Sequence, residues 1–252
     1  MKRLLYHLHD GLPRQAPGSD DSTRRALRGL PEMAGRRALD IGCGPGRSAL
    51  VLAAQQGIAH VTAIDIHAPY LAQLAESASR RGLARRVTPL RMSMAQMRFA
   101  PGSFDLIWCE GAAYFLGIRE SLAAWRPLLA LNGCAAFTEL CWLAPPSKRP
   151  REAAEYWAHA YPAMRTSREH QALARRAGYD VAGTFTLPAC DWWDEYLQPL
   201  EERMDLLGPE AQRNRRLAAL IKDSRYAIAL YRRHGKSFGY VFHLLTVRAA
   251  AA

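Results

Sequence analysis

Acidic residues beside closely spaced glycines are the first feature of this 252-residue chain that could do chemistry. Asp40 precedes Gly42, Gly44 and Gly46 in Leu39-Asp40-Ile41-Gly42-Cys43-Gly44-Pro45-Gly46. Glycines there let the backbone turn sharply and let a ligand approach more closely than a side chain would permit. The spacing is G-x-G-x-G. It is neither the G-x-G-x-x-G that cradles a pyrophosphate nor a phosphate loop, since no Gly-Lys-Ser/Thr follows. An acid beside such a turn suits a ligand with a positive or hydrogen-bond-donating part. Asp65 closes the run HVTAIDI about 20 residues further on, where an acid can accept both hydroxyl protons of a ribose or cap the next helix. Glu110 follows FDLIWC, with Tyr114 four residues on. Glu110 could bind an ammonium, accept a substrate proton, or contribute only its backbone.

The elements that must hold these residues alternate in type. Apolar runs predict strands at 38–41, 60–66, 87–91, 104–109 and 134–140. Helices are expected at 48–56, ended by Gly57, at 68–81, and at 119–131, ended by Asn132-Gly133. This βα order argues for a parallel sheet with right-handed crossovers, with ligands at the carboxyl ends of the strands. Glu139, Cys141 and Trp142 then sit at or just beyond the end of the fifth strand. Thr166 caps a helix to Ala177, and two further strands fall at 179–187 and 238–248. Ser19, Asp20 or Ser22 could cap a helix from Arg24 to Leu30, making residues 1–35 a helical lid or a helix on the sheet edge. Tyr6, His7 and His9 would give a lid its polar edges. The domain proper is expected at 36–252, with insertions at about 141–165 and 189–236. The second begins Asp191-Trp192-Trp193-Asp194-Glu195-Tyr196, a cap over a substrate or an aromatic anchor for the helical layer.

Composition bounds the function. A hydrophobic fraction of 49% supports a core, and no stretch reaches the ~20 apolar residues of a membrane span. The N-terminus lacks a continuous apolar signal region, so a cytoplasmic location is expected. Five cysteines without a C-x-x-C pair argue against disulfide and zinc frameworks, and no metal is expected. The net charge of +11 raises nucleic acid as a partner, but the arginine pairs are scattered and fall near helix ends or on polar faces.

LDIGCGPG, the acid of TAIDI, S-M-x-x-M-x-F and FDLIWCEGA resemble, in order and spacing, the class I (Rossmann-like) S-adenosylmethionine-dependent methyltransferases. The N-terminal PGS, CEGAAY, W-x-x-AYP, LPACDWW and the terminal GYVF look like a group of stand-alone bacterial small-molecule methyltransferases. The resemblance implies an α/β fold, a Rossmann-like doubly wound, mostly parallel seven-stranded sheet with an antiparallel last strand and helical cap insertions. It implies S-adenosylmethionine as cofactor and S-adenosylhomocysteine as product. By the same resemblance Asp40, Gly42, Cys43, Gly44 and Gly46 line the methionine part and Asp65 holds the ribose. Ile66 packs on the adenine, Ser93 and Met94 flank its edge, and Ser19 closes over the cofactor.

A sulfonium methyl is already activated, so such an enzyme need only align a nucleophile and exclude water. Glu110 and Tyr114 are the candidates to position or deprotonate the acceptor, with Tyr6, Trp142, Tyr161, Trp192, Trp193 and Tyr196 shaping its pocket. Aromatic walls favour a flat or amphipathic molecule and can hold a cation. A nucleic-acid methyltransferase is the alternative from charge, but neither an Asn/Asp-Pro-Pro-aromatic motif nor a Pro-Cys pair is present. A non-catalytic S-adenosylmethionine-binding protein is the other alternative. A monomer or homodimer with no membrane partner is expected.

Overall fold

The computed structural model describes residues 2–32 and 34–248. Helices α1 (Lys2–His9) and α2 (Asp20–Arg28) precede strand β1 (Arg36–Ile41), α3 (Arg47–Ala53), β2 (Ile58–Asp65), α4 (Ala68–Arg80), β3 (Val87–Arg91) and β4 (Phe104–Glu110). Then come α5 (Ile118–Trp125), β5 (Leu129–Trp142), α6 (Arg151–Ala160), β6 (Arg165–Thr166), α7 (Ser167–Arg176) and β7 (Tyr179–Thr186). The last helices are α8 (Ala189–Trp192), continued by a π-helical turn over Trp193–Leu197, then α9 (Gln198–Leu206), α10 (Gly208–Ala211) and α11 (Arg215–His234); β8 (Phe238–Val247) closes the sheet. No helix among the described residues is long and apolar enough to cross a membrane.

The sheet order is β3-β2-β1-β4-β5-β8-β7, and β8 runs antiparallel to both of its neighbours. The expected doubly wound, mostly parallel sheet with its reversed last strand is therefore what forms, with the two-residue β6 added beside Trp142. Residues of the central strands alternate between two cores. Ala38, Leu106 and Trp108 pack with α3 and α4, whereas Leu39, Ile107 and Cys109 pack with α5 and α7. Burial on both faces is why β1 and β4 read as apolar runs. A third core covers the carboxyl ends of the strands, joining Leu8 and Leu12 to Trp192, Leu200, Ile228 and Phe238.

One segment differs from expectation. The helix before β5 stops at Trp125, and β5 starts at Leu129 and runs through Asn132-Gly133. Pro127 explains it, because proline supplies no N–H to continue the helical ladder, and the chain leaves through a single 3-10 turn over Arg126–Leu128. Asn132 takes φ 62, so the expected helix stop is instead an irregularity inside the strand. At the N-terminus Ser19 is the cap of α2, its hydroxyl accepting the Ser22 N–H at 3.1 Å.

The turn after β1 is sterically exacting. Gly46 has φ +88, and a β-carbon there would lie 2.2 Å from Leu74 Cδ1. Gly46→Ala should cost about 2–4 kcal/mol from left-handed strain plus overpacking, read as a lower urea midpoint with an unchanged slope.

Candidate active site

The glycine turn is pinned from beneath by β2. The N–H groups of Gly42 and Cys43 both donate to Ile64 O, at 2.8 and 3.0 Å. Gly42 and Gly44 have φ +68 and +53, and a β-carbon on Gly42 would lie 2.5 Å from Ala112 Cβ. Asp65 Oδ2 accepts the Gly44 N–H at 3.0 Å, and Oδ1 accepts the His67 N–H at 2.8 Å. One acid thus fixes both the turn and the start of α4. Each of its oxygens keeps a lone pair for a ligand hydroxyl.

Asp40 lies below this surface and is fully buried. Ser48 donates to its Oδ2 at 2.7 Å, its Oδ1 has no partner, and burial pushes its pKa up to about 7. A cavity of about 740 Å³ opens above, lined by Gly42, Cys43, Gly44, Asp65, Ile66, Ser93 and Met94. Asp40, Gly46 and Ser19 do not line it and stand behind its wall. Asp40 braces α3, Gly46 packs on Leu74, and Ser19 is occupied as a helix cap.

The segment 13–17 passes over the glycine turn as a strap. Gln15 receives the Tyr70 hydroxyl at 2.6 Å and donates to the carbonyl of His9. Arg14, 6% exposed, donates to Glu110 Oε2 at 3.1 Å and Asp20 Oδ1 at 2.9 Å. Glu110 Oε1 accepts from Thr23 Oγ1 at 2.7 Å and from Trp108 Nε1 at 2.8 Å. The Glu110 carboxylate, on the cavity wall at the end of β4, is therefore engaged by three of the protein's own donors. A carboxylate so engaged ties the strap to the end of β4.

Beyond Glu110 the cavity becomes aromatic. Tyr114, Tyr161, Trp192 and Tyr196 line it as expected, together with Tyr156, Trp157, Tyr231, Phe238 and Tyr240. Trp192 is stacked on Tyr231 with ring centroids 4.2 Å apart, and Tyr196 bonds His9 Nε2 at 3.1 Å. Burial lowers the His9 pKa, and its Nδ1 donates to Leu5 O, leaving Nε2 to accept the tyrosine proton. Trp142 and Trp193 do not reach the wall. Trp142 packs on Phe238 with Arg149 over its ring, and Trp193 carries Arg232 at 4.6 Å. Tyr6 lies at the other end, stacked on His67 at 3.9 Å beside Asp65.

Glu139 of β5 lines the aromatic half and is 1% exposed. Its Oε1 accepts only the Leu140 N–H at 3.0 Å, and Oε2 has no partner. The Tyr161 hydroxyl lies beside this carboxyl but outside hydrogen-bonding geometry. Burial pushes its pKa up to about 8. Cys141, His170 and His243 form a separate buried cluster, with one ligand-type atom from each within 4.8 Å of the others. Burial pushes His170 down to about 4 and His243 to about 3, so both are neutral at pH 7.

Residues 38–133 match the family model described as a methyltransferase domain. A Synechococcus protein, itself uncharacterized, is 40% identical over 104 residues, 41% of this chain and 25% of its own. The malonyl-[acyl-carrier protein] O-methyltransferase of Legionella pneumophila is 32% identical over 114 residues, 43% of this chain and 38% of its own. The chain thus spans well under half the length of these curated relatives. The solved S-adenosylmethionine-dependent methyltransferase of Thiobacillus denitrificans, in complex with S-adenosyl-L-homocysteine, superposes with a TM-score of 0.82 at 19% identity. That likeness, in fold, covers 98% of this chain and 99% of that one.

Arg14→Ala would leave Glu110 charged and buried without its cation. A loss of about 3 kcal/mol in unfolding free energy is expected, with faster amide hydrogen exchange confined to residues 2–28 at first.

Proposed function

We propose that this chain, whose residues 38–133 match the family model described as a methyltransferase domain, transfers the methyl group of S-adenosylmethionine to a small molecule. The observation that carries this reading is the continuous cavity. It runs from the glycine turn and Asp65, past the end of β4, into a chamber walled by tyrosines and tryptophans. S-adenosylmethionine, when bound, supplies a methyl already activated on a sulfonium, so the protein's tasks are orientation and exclusion of water.

The residues present fit that cofactor. Asp65 has one backbone donor on each oxygen and lone pairs left for two ribose hydroxyls. Gly42 and Gly44 leave the backbone bare where the methionine part would lie, and Ile66, Ser93 and Met94 offer the adenine an apolar edge with one hydroxyl. Residues 1–35 act as a lid, with Arg14 and Gln15 as its clasp, and they keep bulk water from the methionine end.

The acceptor occupies the aromatic half, between Tyr114 at the boundary and Tyr161, Trp192 and Tyr196 beyond. Such walls favour a flat or amphipathic body. The Legionella relative is named for a malonyl-carrier-protein acceptor. The small aromatic chamber supports a free small molecule here.

Calorimetry with S-adenosylhomocysteine tests the cofactor assignment. Wild type should bind, and Asp65→Ala should weaken binding tenfold or more, as expected for losing charged hydrogen bonds of about 1.5–3 kcal/mol. Equal affinities would remove Asp65 from the ribose, and absence of binding by wild type would overturn the reading.

A further inference from the structure

Three acids lie near the methyl-transfer end of the sheet, the buried Asp40 and Glu139 and the part-buried Glu110, and of these Glu139 is the one that brings an oxygen with no hydrogen-bond partner to the cavity wall. Asp40 is beneath the glycine turn with Ser48, off the cavity wall. Glu110 is engaged by Arg14, Thr23 and Trp108. Glu139 lines the cavity with Oε2 unpartnered. A buried carboxyl oxygen without a donor is costly unless something else satisfies it, and here the open side is the acceptor chamber.

The position suits the reaction. Thr138 pairs with Glu110 across β4 and β5, and its hydroxyl accepts the Gly111 N–H at 2.8 Å. Glu139 is the next residue, so it stands one strand over from the point where the cofactor half of the cavity ends. The titratable groups that face it are Tyr114 after β4, Tyr161 after α6, Tyr240 of β8, Cys109 of β4 and Cys141 of β5. Burial pushes the pKa of every one of these upward, so all are neutral at pH 7. Among the described residues no arginine, lysine or histidine pairs with Glu139. The nearby Arg14 is already bound to Glu110 and Asp20.

Beyond the cofactor half, the cavity wall thus carries two carboxyls that no arginine, lysine or histidine pairs among the described residues, the buried Glu139 and the exposed Asp223 beside Tyr156, within a wall of electron-rich rings, while its arginines, Arg14 and Arg47, are engaged with Glu110 and Asp20. It disfavours a carboxylate or phosphate and favours a positive group, which the rings attract through their faces. Resting on the methyl-transfer reading above, we propose that the acceptor is a small arylalkyl or similarly apolar amine, and that Glu139 binds its ammonium and takes the proton from the nucleophilic nitrogen.

The balance is simple. The ammonium enters as the Glu139 proton leaves to solvent, forming an ion pair. One N–H proton then passes to Glu139 Oε2, and the freed nitrogen lone pair forms the N–CH3 bond. The S–CH3 bond breaks, with its electron pair remaining on sulfur as a neutral thioether. Glu139 then releases its proton, and the methylammonium product pairs with the carboxylate until it departs. Because burial raises the Glu139 carboxyl to about 8 in the empty chamber, kcat/KM should rise with pH through the neutral range toward about 8.

The test uses the full chain with a panel from benzylamine through 2-phenylethylamine to tryptamine, and 2-phenylethanol and phenylacetate as the matched alcohol and acid. S-adenosylhomocysteine formation is expected with amines alone. Glu139→Gln, which mimics the protonated acid in shape, should lose about 100-fold or more in kcat while keeping wild-type affinity for S-adenosylhomocysteine. In buffers of different ionisation enthalpy at pH 7, tryptamine binding to the S-adenosylhomocysteine complex should release about one proton in wild type and none in the variant. Transfer to the alcohol or the acid in preference, no response to any amine, or equal proton release by the two proteins would overturn the proposal. Failure of wild type to bind S-adenosylhomocysteine would instead strike the cofactor reading, so the two failures are distinguishable. Should Glu139→Gln bind it poorly, Glu139→Asp serves as the second variant; it must keep a pH-dependent rate, and a flat profile would count against the proposal.

Discussion

Taking a carboxylate out of water is the constraint on which this structure turns, because the charge must be paired, hydrogen-bonded or neutralised. Three acids near the strand ends, the buried Asp40 and Glu139 and the part-buried Glu110, meet it in three ways. Asp40 has one hydroxyl donor, and burial lifts it to about 7. Glu110 gathers an arginine, a threonine and a tryptophan around itself. Glu139 has a single backbone N–H, and burial lifts it to about 8. The first supports the glycine turn, the second closes the chain over it, and the third is left facing a chamber.

This division accounts for the architecture around the site. Arg14 ties residues before the sheet to the end of β4, so the strap depends on a pair 96 residues apart in sequence. The same arginine reaches Asp20 at the start of α2, and Arg47 reaches Asp20 as well at 2.9 Å. Turn, strap and strand end thus form one ionic knot below the aromatic cap. The cap adds no charge pair to the chamber floor; its tryptophans and tyrosines stack on each other and on Phe238.

What the sequence disclosed was what is local. Gly42, Gly44 and Asp65 could be read because a strand, a turn and a helix follow one another directly and each leaves a pattern within a few residues. The central strands β1 and β4 were legible for the same reason, since burial on both faces writes a continuous apolar run. Pro127 was the local signal that should have shortened the helix before β5. The partners of Glu110, by contrast, could not be read, because nothing near it in sequence reveals that Arg14 and Thr23 will arrive. Trp142 and Trp193 were expected in the pocket on residue type alone, and their direction is set by Arg149, Phe238 and Arg232, all from other elements. Glu139 could be placed at a strand end, but its lack of partners emerges only when the whole chamber is assembled.

On this reading the methyl group is delivered from the Asp65 half of the cavity toward the chamber floored by Glu139. A crystal structure with S-adenosylhomocysteine bound tests it most directly. The ribose hydroxyls should lie on Asp65 and the thioether sulfur should face the Glu139 side of the chamber. A ligand lodged elsewhere, or bound with its sulfur turned away from Glu139, would contradict it.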